Sequence, residues 1–254
     1  MQPWERATRE FLRAWQRRPA FRGALACGSF VTGHPGPRSD VDLVIVLASG
    51  TRWRERGNRF ADGLMVEYFA NSPKQYRAYM KGEQASGARN TATMFVTGKI
   101  LVDERGDVAK LVAEAKRWRR KALPRMSRAD RENALYTIWS QVDDLQDAVL
   151  RGAADVPFQY YHAVRFVYDC YARFLRQPVQ QADRILTSYA RGGHPEKYLL
   201  DPFPDPDFPP MLARAIRERD PDRMLRRLER LADHVYEQMG GFEIDGWKLR
   251  TPSA

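Results

Sequence analysis

The hydrophobic pattern of this chain changes period near residue 120, and that change commits it to two differently built parts. Before it, apolar runs such as "ALAC", "VDLVIVL", "LMVEYFA" and "MFVTGKILVD" have the length and the β-branched or aromatic content of strands, separated by Gly-, Pro- and Arg-rich turns. After it the period is helical. The stretch "SRADRENALYTIWSQVDDLQDAVLRG" offers Ser127 as a cap, apolar positions at Leu135, Ile138, Val142, Leu145 and Val149, and Gly152 as a stop. A second helix is expected in "DVPFQYYHAVRFVYDCYARFLRQP", with Phe158, Tyr161, Val164, Tyr168, Tyr171 and Leu175 on its apolar stripe. A third runs from Asp220-Pro221 to the paired glycines of "EQMGG", and the Pro- and Asp-rich "LLDPFPDPDFPP" reads as a stiff loop. An α/β half followed by a helical bundle is the resulting expectation.

Charge and cysteine usage narrow the function classes. The chain carries a net charge of +10, and the excess lies in the first half: Met1 to Arg120 holds 22 Lys+Arg against 12 Asp+Glu, while the remainder holds 20 of each. A basic half suits a polyphosphate ligand, whereas a neutral helical half has no field with which to follow a polynucleotide backbone. Trp4, Phe11 and Trp15 recur at helical spacing in a charged amino-terminal stretch, which predicts a surface helix closing a core and not a secretory signal. No apolar run approaches the roughly 20 residues of a membrane span. Cys27 and Cys170 stand far apart among apolar neighbours, the pattern of buried free thiols, and a reducing cytoplasm is the expected setting.

The most informative stretch is "CGSFVTGHPGPRSDVDLVIVL", Cys27 to Leu47. In an extended chain Asp40 and Asp42 point to one side and Val41 and Leu43 to the other. Two like charges held there repel unless a cation lies between them, and hard oxygen donors of this kind suit Mg²⁺, which substrate phosphates usually complete. The bland alternative is a polar strand edge. Upstream, Gly28 lets backbone N–H groups approach a phosphate closely, and the Ser29 hydroxyl can donate to a phosphate oxygen.

Gly28-Ser29, Gly33, and Ser39-Asp40-Val41-Asp42-Leu43, with Asp40 eleven positions after Ser29, resemble the signature of the DNA polymerase beta-like nucleotidyltransferase superfamily. The form is similar to its minimal and antibiotic-modifying branches. The resemblance implies an α+β fold: a mixed-sheet catalytic domain, residues 1–120, followed by an α-helical bundle, residues 121–254, that holds the acceptor. It implies that Gly28, Ser29 and Ser39 bind the nucleotide. It also implies that Asp40, Asp42 and a third carboxylate, matched here by Glu67 in "GLMVEYFA", hold two Mg²⁺ ions. The stretch "FVTGKILVDERGDVAKLVAEA" is similar to the strand, turn and helix that close such domains. The short segment between Asp42 and Glu67 leaves room for a brief helix or hairpin.

The expected reaction is transfer of a nucleoside monophosphate, with AMP from ATP as the family's prior, onto a hydroxyl of a small-molecule acceptor with release of pyrophosphate. An antitoxin-type interaction module, a protein AMP-transferase acting on a partner protein, and an RNA-tailing enzyme are the other readings. The last has only basic charge behind it, with no RNA-recognition signature. His34 reads as a loop histidine or a nucleotide contact. His162, Arg165 and Asp169 share a helix face that is either an ordinary polar surface or an acceptor wall, and Asp143, Asp144 and Asp147 form either a solvated face or a source of a proton acceptor. The run "KRWRRK", residues 116–121, suits a helix end as well as an RNA contact.

Overall fold

The computed structural model describes residues 1–190 and 193–250. The chain divides into two compact units, Met1–Ala122 with Lys197–Leu199, and Leu123–Glu196 with Leu200 onward. The first opens with α1 (Pro3–Gln16), whose first turn is closed by a capping box between Gln2 and Glu5 and whose buried face carries Trp4, Phe11, Leu12 and Trp15. There follow β1 (Phe21–Cys27), α2 (Ser29–Thr32), β2 (Val41–Leu47), β3 (Glu55–Ala61), β4 (Leu64–Asn71), α3 (Pro73–Ser86), α4 (Asn90–Thr97), β5 (Lys99–Asp103) and α5 (Asp107–Arg120).

The strands form one mixed sheet in the order β3-β4-β2-β1-β5. β2 and β4 pair in parallel, and the other neighbours are antiparallel. One face buries Leu43, Ile45 and Val66 against α1, and the other buries Leu25, Val44 and Val46 against Tyr76 and Met80 of α3, Phe95 of α4 and Leu111 of α5. A strand covered on both faces reads as an unbroken apolar run, which is why "VDLVIVL" does not alternate.

One expectation for this unit is corrected. "MFVTGKILVD" is not one strand, because Met94–Thr97 end α4 and the strand begins at Lys99. The Glu83 carboxylate of α3 accepts the Thr91 N–H at 2.8 Å and the Thr91 hydroxyl at 2.6 Å, so a tertiary cap holds the first turn of α4 against the strand preference of its Thr and aromatic residues. Of the brief helix or hairpin expected between Asp42 and Glu67 the chain forms the hairpin, whose first arm, β3, is an edge strand with exposed side chains that hide its period.

The second unit contains α6 (Arg128–Leu150), α7 (Val156–Phe174), α8 (Ile185–Tyr189), α9 (Phe208–Arg217) and α10 (Pro221–Gln238). The Ser127 hydroxyl accepts Asp130 N–H at the start of α6, and the Asp220 side chain caps α10. Leu135, Ile138, Leu145, Tyr168, Leu231 and Val235 meet in its core. Phe158 does not join them. It is 76% exposed, and Tyr160 takes the buried position, donating its hydroxyl to the Ala215 carbonyl. The loop expected to run through Pro210 stops at Asp207, since Pro209 and Pro210 fall in the first turn of α9, where a missing N–H leaves no helical bond unmade. Both cysteines are buried free thiols, and burial pushes Cys170 up to about 12.

The loop is pinned to its own unit by Asp205, which accepts the Tyr171 hydroxyl at 2.6 Å and lies 2.6 Å from His234 Nε2. Burial alone would raise the Asp205 carboxyl, but these hydrogen bonds outweigh it and hold the group below its ordinary value. A carboxylate depressed by folding lends stability that is complete above its unfolded value of about 3.9 and is lost as pH falls through the folded value. Asp205→Asn should therefore lower stability at pH 7 by about 1.5–3 kcal/mol, the range for hydrogen bonds to a charged group. Urea titrations of both proteins should converge only as pH falls below the folded value of the Asp205 carboxyl.

Candidate functional site

The parallel register of β2 and β4 sets Asp42 directly across from Glu67. Adjacent strands lie about 4.8 Å apart, so the two side chains leave the same face as near neighbours. On the other side of β2, Cys27 pairs with Asp42. The Cys27 thiol is pushed well above its ordinary value, first by burial and then by the charges of Asp42 and Glu67, which places both acids close to it. Asp40 lies one residue ahead of β2 and is half-buried, so the strand itself begins at Val41 and not with the acid pair.

Gly28 closes this group from above. It adopts φ +78°, and a Cβ built there would fall 2.0 Å from Asp42 Oδ2, so only glycine allows the turn to lie against the carboxylate. Ser29 follows as the first residue of α2. Ser39 is engaged differently. Its hydroxyl oxygen accepts the Gly36 N–H at 2.8 Å and closes the turn that leads into Asp40.

Sequence reasoning missed Arg56. From β3 its Nη2 reaches Glu67 Oε1 at 2.7 Å, with Nε at 3.2 Å, and its guanidinium lies 4.9 Å from the centre of the Phe69 ring. The Arg56 side chain is 71% exposed while that of Glu67 is 18% exposed, so an exposed cation covers a largely shielded acid. The alternation of Arg54, Arg56 and Asn58 was the available signal, but without strand-forming residues it did not read as a strand.

Asp42 and Glu67 offer hard carboxylate oxygens from adjacent strands, beside a glycine where a side chain would fill the space and a guanidinium that satisfies the negative charge, but the carboxylates of Asp40, Asp42 and Glu67 do not converge to within 4.8 Å of one another in this structure. The remaining sequence candidates stand on α5, α6 and α7. Asp143, Asp144 and Asp147 are exposed on α6, with Asp147 paired to Arg151, and His162 is exposed on α7. Arg165 donates to Asp169, whose carboxyl is raised first by burial and partly restored by that arginine. Lys116–Arg120 end α5.

No protein-family model matches the chain, and no curated protein sequence matches it. Among solved structures it is similar to a nucleotidyltransferase-like protein from Exiguobacterium sibiricum 255-15, at 13% sequence identity and a TM-score of 0.46, over 92% of this chain and 74% of that one. Among the described residues, no helix is long and apolar enough to cross a membrane.

Gly28 is the most sensitive position of the site. Gly28→Ala meets both a left-handed φ and the Asp42 carboxylate, so it should destabilise the protein by about 1–3 kcal/mol in urea titration. Pairing it with Asp42→Ala, which removes the obstructing oxygen, should recover part of that loss; an additive double variant would separate the two residues.

Proposed function

We propose that the chain is a nucleotidyltransferase of the DNA polymerase beta-like superfamily, moving a nucleoside monophosphate, AMP from ATP, onto a hydroxyl of a small-molecule acceptor. The observation that carries this reading is the in-register pairing of Asp42 with Glu67 beneath a glycine that tolerates no side chain. In this reading Asp40 and Asp42 hold the ion that accompanies the triphosphate, and Glu67 joins them for the ion nearest the acceptor. Two Mg²⁺ ions so bound would neutralise phosphate charge and lower the pKa of the attacking hydroxyl.

The chain's own residues position the reactants. The Gly28-Ser29 turn receives the β- and γ-phosphates, with the Ser29 hydroxyl donating to a phosphate oxygen. The acceptor oxygen forms a bond to the α-phosphorus as the bond from that phosphorus to the bridging oxygen breaks. Pyrophosphate leaves with the electron pair, and the hydroxyl proton passes to water. Arg56 bonds Glu67, and were that carboxylate to hold an ion, the Arg56 guanidinium would be free to pair with another anion.

ATP should raise the melting temperature far more with Mg²⁺ than with EDTA, by the equivalent of about 2.7 kcal/mol at a ligand concentration one hundred times Kd. Equal shifts in both buffers would overturn the reading. Asp42→Asn should abolish the Mg²⁺-dependent shift while leaving the ligand-free melting temperature unchanged or slightly higher, because it relieves repulsion with Glu67. Glu67→Gln should retain ATP binding and lose turnover, since the ion it completes acts on the hydroxyl more than on the triphosphate.

A further inference from the structure

Asp42 and Glu67 are opposed in register, with Asp40 just ahead of β2, yet the three carboxylates do not gather within 4.8 Å of one another. The neighbours of Glu67 on its two sides differ in sign. On the β2 side stands Asp42, a like charge across the ladder. On the β3 side its cross-strand partner is Asn58, and Arg56, which pairs with Phe69, reaches diagonally along the same face to set Nη2 2.7 Å and Nε 3.2 Å from Glu67 Oε1. Repulsion from β2 and attraction from β3 act in one direction, toward the sheet edge.

Building on the nucleotidyl-transfer reading, we infer that Arg56 is a positioning residue that holds Glu67 toward the β3 edge in the ligand-free protein, so that a divalent ion gains this carboxylate only by displacing the guanidinium. The Glu67 side chain is largely shielded from water, and a shielded carboxylate with no partner is costly. Arg56 meets that need while no metal is bound. The same contact that steadies the acid therefore restrains metal binding.

Two features suit Arg56 to a contact that must also open. Its guanidinium lies 4.9 Å from the centre of the Phe69 ring, two residues beyond Glu67 on the same face of β4, so the ring steadies it beside the acid. Most of the Arg56 side chain is nonetheless exposed, and a largely hydrated cation returns to water at little cost. Both of its nitrogens converge on one oxygen, Oε1, where a fork-to-fork pair would span the carboxylate. An ion seeking that oxygen meets a competitor, and its affinity records the exchange of one cation for another. Asn58, the neutral residue directly opposite Glu67, offers no such competition.

The test titrates the full chain, without nucleotide, with Mn²⁺, a carboxylate-seeking ion whose unbound fraction is read by electron paramagnetic resonance. Arg56→Gln, a change at an exposed position, should bind Mn²⁺ about tenfold more tightly than the native chain, because no charged contact then has to be broken. Arg56→Lys should stay within about threefold of the native chain, since a single ammonium can meet the one oxygen that Arg56 holds. Arg54→Gln removes an equal charge two positions away, from a residue that bonds the Tyr79 hydroxyl and not Glu67, and should change the affinity less than about threefold. In a Glu67→Gln background the Arg56→Gln step should lose its effect, since Arg56 acts through that carboxylate. No saturable Mn²⁺ binding to Arg56→Gln, an affinity equal to that of the native chain, a gain as large in Arg54→Gln, or a gain that persists without Glu67 would each overturn the assignment. Adding Asp42→Asn to the Arg56→Gln chain separates the two readings. If Mn²⁺ affinity does not fall, the acid pair holds no ion and the nucleotidyl reading fails with it; if it falls while Arg56→Gln alone has no effect, that reading stands and only the role of Arg56 is lost.

Discussion

The parallel ladder between β2 and β4 is the constraint from which the site follows. It brings two carboxylates 25 positions apart in the chain to directly opposed positions on one face. Like charges opposed across a ladder are destabilising, and a one-residue slip would separate them while moving every side chain of β2 to the opposite face of the sheet, out of the packing it makes with α1 on one side and with α3, α4 and α5 on the other. The apolar demand of both sheet faces therefore fixes the electrostatic strain in place. A register held by Leu43, Ile45, Val44 and Val46 leaves Asp42 and Glu67 nowhere else to go.

Parallel neighbours ordinarily need a crossover of a dozen or more residues that passes over the sheet. This chain avoids a helical crossover. It leaves β2, lays down β3 at the outer edge, and returns through Asp62-Gly63 as β4, which slots between β3 and β2. Both turn residues have positive φ, 45° and 76°, the geometry that matches hairpin twist. The edge strand is then free to be polar, and its Arg56 supplies the countercharge for Glu67. One hairpin thus solves connectivity, edge protection and charge balance together.

What could be read in the sequence and what could not divides along burial. Asp42, Glu67 and Gly28 were legible because each interrupts or flanks an apolar run that could only be a covered strand. Three features were not legible. β3 stays undecided between a brief helix and a hairpin strand because an exposed edge carries no hydrophobic period, and with it Arg56 goes unseen. α4 was mistaken for strand because its helical state depends on the distant Glu83 carboxylate. Phe158 was placed inside on spacing alone, although the buried line of α7 runs through Tyr160, Val164, Val167 and Tyr171. In each case the deciding partner comes from another element, and periodicity within one segment carries no record of it.

Cys27 shows how closely the acid pair constrains its neighbours. The position across the ladder from Asp42 is buried and must be small, yet it stands between a carboxylate and an apolar core. Another acid would add a third opposed charge, and a larger apolar residue would crowd the approach of Gly28 to Asp42. A thiol fits both sides. Burial and the two carboxylates keep it protonated far above neutral pH, so it adds no charge to the pair.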